Sequence, residues 1–287
     1  MSRFTHSLIG FALAGLVQTA HAAPPRAYIE SSYLLAPRAI GGLTLVDSHY
    51  DPNTKAAGAS FRYALEGRRE LRVDVFIYPA GDEPAHAAME RGMRDFRSQL
   101  DYAQSHGIYS ELKILDQSTF QLGDRTRTEE QSQSANEVEL VALNSSLPSS
   151  PLTAERLRMI MELTSAAMTL RSNGYLLYRQ QYFFKLRASA AAQHLDQDQF
   201  DTLTNQAAQA LLPALEAAHV GACGDDKTIN LYTLMTPEQN LIEFSKQLAA
   251  IEARNCHASA QALNAKITSE GIEAIRIDFE PDEWKSP

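Results

Sequence analysis

Two cationic side chains and an aromatic one occupy alternate positions in an aromatic-rich segment. Phe183, Lys185 and Arg187 belong to residues 175–189, where five of fifteen residues are aromatic. In an extended chain alternate residues point the same way, so these three side chains share one face. Such a face can bind an anionic ligand or a carboxylate. It equally fits long side chains whose stems cover apolar surface beside a helix.

The chain has two cysteines, Cys223 and Cys256, so only one intramolecular disulfide is possible. Both lie in the part of the chain that we expect to be exported, and an oxidising compartment favours disulfides. The alternative is a free catalytic cysteine, but no histidine or carboxylate near either residue has the spacing of a nucleophile motif. His257 beside Cys256 also permits a metal site. We predict the Cys223–Cys256 disulfide.

Motifs for common enzyme chemistry are absent from the sequence. It has no glycine-rich phosphate loop, no His-Glu-x-x-His zinc motif and no Gly-x-Ser-x-Gly nucleophile motif. Residues 110–113 match Ser-x-x-Lys, but that chemistry needs a helix and this segment has a strand pattern. Asp196, Asp198 and Asp201 lack the glycine and final carboxylate of a calcium loop and suit a helix N-terminus. The sequence therefore predicts no catalytic residue, no cofactor and no metal site.

The first residues have the pattern of a secretory signal peptide. Arg3 precedes a mostly apolar run at 7–17, and residues 20–22 place small side chains on both sides of a larger one. The apolar run, about eleven residues, is too short to cross the roughly 30 Å bilayer core as a helix, which argues against an uncleaved anchor. We expect residues 1–22 to be removed. The mature chain has no transmembrane segment and is expected to be periplasmic or secreted.

Composition limits the classes of partner. The formal net charge of −9 argues against nucleic acid and against anionic membrane surfaces. The chain is 44% hydrophobic, which is enough for a substantial core. We place the main domain at 23–220 and a small C-terminal unit at 221–287. A protein or peptide is the expected kind of partner.

Hydrophobic patterns predict an α+β fold. Strands are predicted where apolar and polar residues alternate, at 42–50, 59–65, 71–78, 109–122, 137–143, 229–234 and 272–279. The first three of these strands form an antiparallel meander. Helices are predicted where apolar residues recur every three to four positions: 83–106, 196–219 and 236–254. We therefore expect an antiparallel sheet packed by two long helices, with a small disulfide-linked α/β unit at the C-terminus.

Two segments leave alternatives open. Residues 175–189 form either a central strand or a tight hairpin bent at 179–181, with Asn173-Gly174 as a turn before them. Residues 153–170 have apolar side chains at helical spacing, although their second half also fits a strand. As a helix, this segment either covers the core or acts as a lid or partner-binding element. The latter alternative predicts a binding surface made of Leu157, Met161, Phe183, Lys185 and Arg187.

The order of elements resembles a known family. The predicted elements are, in order, a meander, a helix, several strands, the strand Phe-Phe-Lys-Leu-Arg-Ala-Ser at 183–189 and a closing helix. This order is similar to that of the PsbP-like α/β/α sandwich, a family that includes exported bacterial proteins of the DcrB type. The resemblance covers 42–220, whereas 153–170 and everything after Cys223 depart from it. Members of that family are mostly binding or assembly modules, so the resemblance implies binding without catalysis.

Two classes of function fit these features of the sequence. The first is an exported, non-enzymatic module that binds a protein, a peptide or a small ligand. The second is a periplasmic hydrolase whose residues come together only in three dimensions. A cleft with a histidine or carboxylate of strongly shifted pKa favours the hydrolase, and an exposed apolar patch without such residues favours the binding module.

Overall fold

The structure, a computed structural model, describes residues 26–123, 152–225, 236–281, 283 and 284. The fold is α+β with mostly antiparallel sheets, as the sequence predicts. The predicted signal peptide at 1–22 and the predicted strands at 137–143 and 229–234 lie outside the described residues. Among the helices that the structure describes, none has the length and apolar character needed to cross a membrane.

The described chain forms strands and helices of very different lengths. The strands are β1 (Ser31–Pro37), β2 (Ala39–Ile40), β3 (Leu43–Tyr50), β4 (Ala59–Leu65), β5 (Arg68–Pro79), β6 (Tyr109–Gln121), β7 (Thr153–Leu163), β8 (Met168–Arg179), β9 (Tyr182–Ala191), β10 (Glu216–Val220), β11 (Cys256–His257) and β12 (Ile272–Asp278). The α-helices are α1 (Ala85–Ser105), α2 (Gln197–Ala214), α3 (Pro237–Ala253) and α4 (Asn264–Ile267).

These strands make two sheets. The larger has eight strands in the order β2-β3-β4-β5-β9-β8-β7-β6, and every pairing in it is antiparallel. The smaller has four strands in the order β11-β10-β1-β12, in which β10 and β11 are parallel. The N-terminal strand β1 thus lies between two strands from later in the chain. The boundary predicted at residue 221 falls between the paired strands β10 and β11, so both predicted units contribute to the small sheet.

Helices pack on both faces of the large sheet. Phe96 and Leu100 of α1 lie in one core with Leu176 and Phe183, whereas α2 packs in another core with the alternate residues of the same strands. Two of these helices begin at a side-chain cap: the Asp196 carboxylate accepts a hydrogen bond from Gln199 N at the start of α2, and Thr236 and Gln239 form a capping box at the start of α3. The helix predicted at 196–219 ends earlier, at Ala214, because Leu215 is already extended and the chain continues as β10.

The segment 175–189 is a hairpin rather than a single strand. Gln180 and Gln181 form a two-residue turn between β8 and β9, and both have positive φ angles, 51° and 60°. That backbone matches the twist of the flanking strands. The predicted turn at Asn173-Gly174 is wrong, since both residues are inside β8. Glycine is required there because a Cβ at Gly174 would lie 2.4 Å from Phe96 of α1.

The helix predicted within 153–170 is also wrong. Residues 153–163 form β7, which pairs with β6 on one side and β8 on the other. Leu157 and Met161 are 0% and 1% exposed, in the core under α1. The segment is therefore an internal strand of the sheet, and these two side chains do not contribute to a surface.

The predicted disulfide between Cys223 and Cys256 is present, with the two Cα atoms 5.7 Å apart. It joins the turn after β10 to β11, which is a strand of only two residues. Arg26 strengthens the same corner, since its guanidinium contacts the Asp225 carboxylate at 2.9 Å and donates to the Ala258 carbonyl at 2.6 Å. The covalent bond therefore attaches the segment after α3 to the small sheet.

We predict that changing Leu157 and Met161 together to serine lowers the free energy of unfolding by more than about 4 kcal/mol, because each change removes buried apolar contact. Urea unfolding followed by circular dichroism measures this loss. Val46→Ser is the matched control, since Val46 belongs to the same sheet but is 57% exposed; it should change stability by less than about 0.5 kcal/mol. A double variant as stable as the control would contradict the internal position of β7.

Removal of the disulfide should cost stability as well. The two cysteines are separated by 33 positions, and a loop of that size stabilises the folded state by about 3–4 kcal/mol on the chain-entropy model. We expect Cys223→Ser with Cys256→Ser to lower the free energy of unfolding by this amount. Reductant should destabilise the wild type to the same extent and leave the double variant unchanged. Two free thiols in denatured, unreduced wild-type protein would contradict the bond.

Candidate functional site

The α1 side of the large sheet has a concentration of positive charge on its strands β4, β5 and β9. Asp74 of β5 lies opposite Arg62 of β4 on one side and opposite Arg187 of β9 on the other. Phe76 of β5 lies opposite Lys185 of β9. Side chains of register partners point to the same side of a sheet, and so do alternate residues of one strand. Four cations therefore share this side, here called the cationic face: Arg62, Arg72, Lys185 and Arg187.

Lys185 lies between α1 and β5 with aromatic rings around its ammonium group. Its Nζ atom is 5.0 Å from the centre of the Phe96 ring, 5.3 Å from that of Phe76 and 5.6 Å from that of Tyr78. It donates one hydrogen bond, 2.9 Å long, to Gln99 Oε1 on α1. Burial, with a smaller contribution from the charge of Arg187, lowers the pKa of Lys185 to about 8.

Arg187 is held in a defined orientation by neutral groups. Its Nε donates to Ser172 Oγ at 3.2 Å, and its Nη2 donates to Tyr109 Oη at 2.8 Å and lies 3.0 Å from the sulfur of Met161. The Tyr109 ring centre is 5.6 Å from the guanidinium carbon. Among the described residues, neither Arg187 nor Lys185 forms an ion pair with a carboxylate. Two half-buried cations thus lie side by side, and the carboxylate opposite Arg187 on the neighbouring strand, Asp74, forms its ion pairs with Arg62 and Arg72 instead.

The other two cations of this face share one carboxylate. Asp74 accepts from Arg62 Nε at 3.0 Å and from Arg72 Nε at 2.5 Å. Asp47 on β3 acts on Arg62 from farther away. Two carboxylates thus offset these two guanidinium groups, and the excess positive charge of the face comes from Lys185 and Arg187. A locally positive surface on a chain of net charge −9 is the electrostatic pattern of an anion-binding site.

Only part of the predicted binding surface is accessible in the structure. Lys185 and Arg187 are half-buried, but Phe183 is 1% exposed beneath α1, where the Arg91 guanidinium lies 5.1 Å from its ring centre. Leu157 and Met161 are core residues, as described above. Arg62, Arg72 and Phe76 were not predicted as site residues. The alternation in 59–65 and 71–78 indicates their face, but the pairing of β5 with the distant β9 cannot be read from that alternation.

One serine–histidine pair has the separation of a catalytic dyad. Ser32 Oγ is 2.8 Å from His219 Nδ1, and His219 Nε2 is 2.8 Å from the Gln180 carbonyl oxygen. The carbonyl can only accept, so Nε2 carries the proton and Nδ1 accepts from the serine hydroxyl. Both residues are 0% exposed, and the imidazole stacks on Tyr182. This pair joins the small sheet to the hairpin turn and has no access for a substrate.

Two concavities of the described structure are lined by residues other than the four cations of the cationic face, although Met161, which contacts Arg187, lines one of them. A depression of about 280 Å³ lies between the end of α1 and strands β6 and β7, and it is lined by residues that include Gln104, Glu111 and Thr169. A wider, open depression lies beside Arg38 and Glu273. The described residues contain no group of three or more histidine, cysteine, aspartate or glutamate side chains placed to hold a metal ion. Among the described residues, the chemistry of the cationic face consists of positive charge and aromatic rings.

Comparison with models of protein families gave no match for this chain, and comparison with curated proteins gave none either.

His219 gives a pH-dependent test of its structural role. Burial lowers the pKa of His219 to about 4, whereas the unfolded value is about 6.5. Between pH 6.5 and pH 4 this histidine is protonated in the unfolded chain but neutral in the folded protein, so acid favours unfolding. Up to about 3 kcal/mol of the free energy of unfolding is lost as the pH falls from 6.5 to 4. Urea unfolding at several pH values measures the loss. His219→Gln keeps a donor for Gln180 but cannot titrate, so its stability should fall less over this range. Parallel curves for the two proteins would contradict the assignment.

Proposed function

We propose that this protein is an exported binding module and that its cationic face recognises a carboxylate-bearing ligand. The observation that carries the proposal is the pair Lys185 and Arg187, two half-buried cations that lack a carboxylate partner among the described residues. A ligand carboxylate would supply the missing counter-charge.

The electrostatic cost of this arrangement supports the proposal. Removing a cation from water is unfavourable unless it is paired, and a second cation nearby increases the cost. Both effects act on Lys185, as its lowered pKa shows. A carboxylate bound between Lys185 and Arg187 would relieve both at once. This gain is specific to an anion, because a neutral ligand would leave the repulsion unchanged.

The geometry of Arg187 favours a carboxylate in particular. Ser172 and Tyr109 occupy its Nε and Nη2 donors and fix the plane of the guanidinium. Nη1 has no partner among the described residues and remains available to a ligand. A guanidinium nitrogen held in this way can donate a charge-assisted hydrogen bond to one oxygen of a carboxylate, and the Lys185 ammonium can donate to the other. Arg62 and Arg72 lie at the margin, where they would attract the ligand without having to contact it.

The surroundings of Lys185 bear on the kind of ligand. The aromatic rings of Phe76 and Tyr78 beside Lys185 offer contact for an apolar portion of the ligand. A carboxylate next to an apolar group would use both the cations and these rings, whether a partner protein presents it in an acidic segment or it belongs to a free small acid.

Export is part of the same proposal. The charged, apolar and small-residue pattern at 1–22 supports it, and the Cys223–Cys256 disulfide is typical of oxidising compartments. The packing of the long helices α1 and α2 on opposite faces of an antiparallel sheet supports the resemblance to PsbP-like sandwiches. Since members of that family are mostly binding or assembly modules, the resemblance supports binding over catalysis.

The test is a titration of the wild-type protein with two probes, a peptide of alternating Glu and Asp and free succinate, followed by NMR chemical shifts. We expect the peptide to shift the signals of Lys185, Arg187 and their neighbours, and added salt to weaken its binding. Arg187→Gln should weaken binding at least about tenfold, because it removes a charged hydrogen bond.

Lys246→Gln is the matched control, since Lys246 is an exposed lysine of α3 and lies outside the cationic face. It removes the same unit of charge and should leave the affinity nearly unchanged. Binding of the peptide alone would support an acidic partner segment, and binding of both probes would support a free carboxylate. If neither probe binds, or if Arg187→Gln binds as tightly as the wild type, the proposal is wrong.

A further inference from the structure

Lys185 has features that binding of an anion alone does not require. Three aromatic rings surround its Nζ atom, yet its hydrogen bond to Gln99 lies at the exposed edge of α1, where a ligand can approach. Gln99 Oε1 accepts one proton of the amine, so the hydrogen bond fixes the position of Nζ. A lysine amine that is desolvated and adjacent to another cation is the kind that acts as a nucleophile toward carbonyl groups.

We propose that Lys185 captures 2-oxo acids as a reversible imine, with the Arg187 guanidinium holding the carboxylate of the same molecule. This inference rests on the proposed carboxylate site and adds covalent chemistry to it. Lys185 and Arg187 are alternate residues of β9, so their side chains leave the same face about 6.6 Å apart along the strand. Hydrogen bonds to Gln99, and to Ser172 and Tyr109, hold the two charged groups on this face, where one small ligand can contact both.

The chemical step is a condensation without oxidation or reduction. The lone pair of the neutral Nζ attacks the carbonyl carbon. The carbonyl oxygen takes a proton from water and the nitrogen gives one proton to the resulting hydroxide, which leaves a neutral carbinolamine and regenerates the water. Loss of that hydroxyl as water, with loss of the remaining proton of the nitrogen, leaves a carbon–nitrogen double bond. One amine and one 2-oxo acid thus give one imine and one water, and hydrolysis reverses the reaction.

The protonation state of Lys185 is compatible with this step. Its pKa of about 8 implies that about a quarter of the amine is neutral at pH 7.5, against about a thousandth for an ordinary lysine. Tyr78, whose ring forms one wall, has a pKa raised to about 12 by burial and keeps its proton. It therefore adds no negative charge that would return Lys185 to the ammonium form.

The experiment traps the imine in the intact chain. Wild-type protein is incubated with glyoxylate and cyanoborohydride at pH 7.5, and the reduced adduct is located by peptide mass mapping. We expect Lys185 to be labelled at least about tenfold faster than the exposed Lys246, because far more of its amine is neutral. Lys185→Arg, which keeps the positive charge but cannot form an imine, should lose this rapid labelling.

A second variant tests the role of the carboxylate. Arg187→Gln should slow trapping of glyoxylate about tenfold, the effect of losing one charged hydrogen bond. It should slow trapping of acetaldehyde, which has a carbonyl but no carboxylate, much less. Equal slowing with both aldehydes would overturn the role of Arg187. Labelling of Lys185 no faster than that of Lys246 would overturn the imine.

Glycolate, the matched acid without a carbonyl group, separates this inference from the proposed function. NMR shifts at the cationic face with glycolate, together with no preferential labelling of Lys185 by glyoxylate, would reject the imine and support carboxylate binding. If the face responds to neither glycolate nor the acidic peptide and Lys185 shows no preferential labelling, both proposals are wrong.

Discussion

The β8–β9 hairpin is buried on both faces, and this constraint determines much of the remaining structure. Tyr175, Leu177 and Phe184 point into the core with α2, whereas Leu176 and Phe183 point into the core with α1. A shift of one residue in the pairing would exchange the two sets. The left-handed pair Gln180 and Gln181 closes the hairpin with two residues and so fixes the register. The division of the β8 and β9 side chains between the two cores depends on that turn.

The turn is itself held by its surroundings. His219 Nε2 donates to the Gln180 carbonyl, the Gln180 side chain accepts from Ala217 N, and Arg179 donates to the carbonyls of Leu212 and Pro213 at the end of α2. The arginine also offsets the negative end of the helix dipole. The small sheet and α2 therefore stabilise two non-glycine residues in a conformation that they would not favour alone.

Much of the strand pattern could be predicted from the sequence, because strands with one polar face show the expected alternation. β3, β4, β5, β6 and β12 were found in this way. β1 was missed because all its residues from Ser31 to Pro37 are buried, which removes the alternation. β7 was mistaken for a helix because Leu157, Ile160 and Met161 also fit helical spacing, and only pairing with β6 and β8 decides between the two structures.

The cationic face could be predicted from the sequence only in part, for the same reason. Lys185 and Arg187 were visible as a pair, but Arg62 and Arg72 join them through pairings between distant strands.

The two faces of the large sheet differ in how the charges of their half-buried cations are compensated. On the α2 face, Arg158 lies 2.8 Å from the Asp116 carboxylate and 2.6 Å from that of Asp201. Asn173 donates to the same Asp201 at 2.8 Å. A half-buried arginine there is compensated within the chain, so its charge contributes to attaching α2 to the sheet. On the α1 face, Arg187 and Lys185 have only neutral hydrogen-bond partners in the described chain. This fold thus supplies two carboxylates to the half-buried Arg158, whereas among the described residues Asp74, the register partner of Arg187, forms its ion pairs with Arg62 and Arg72 instead.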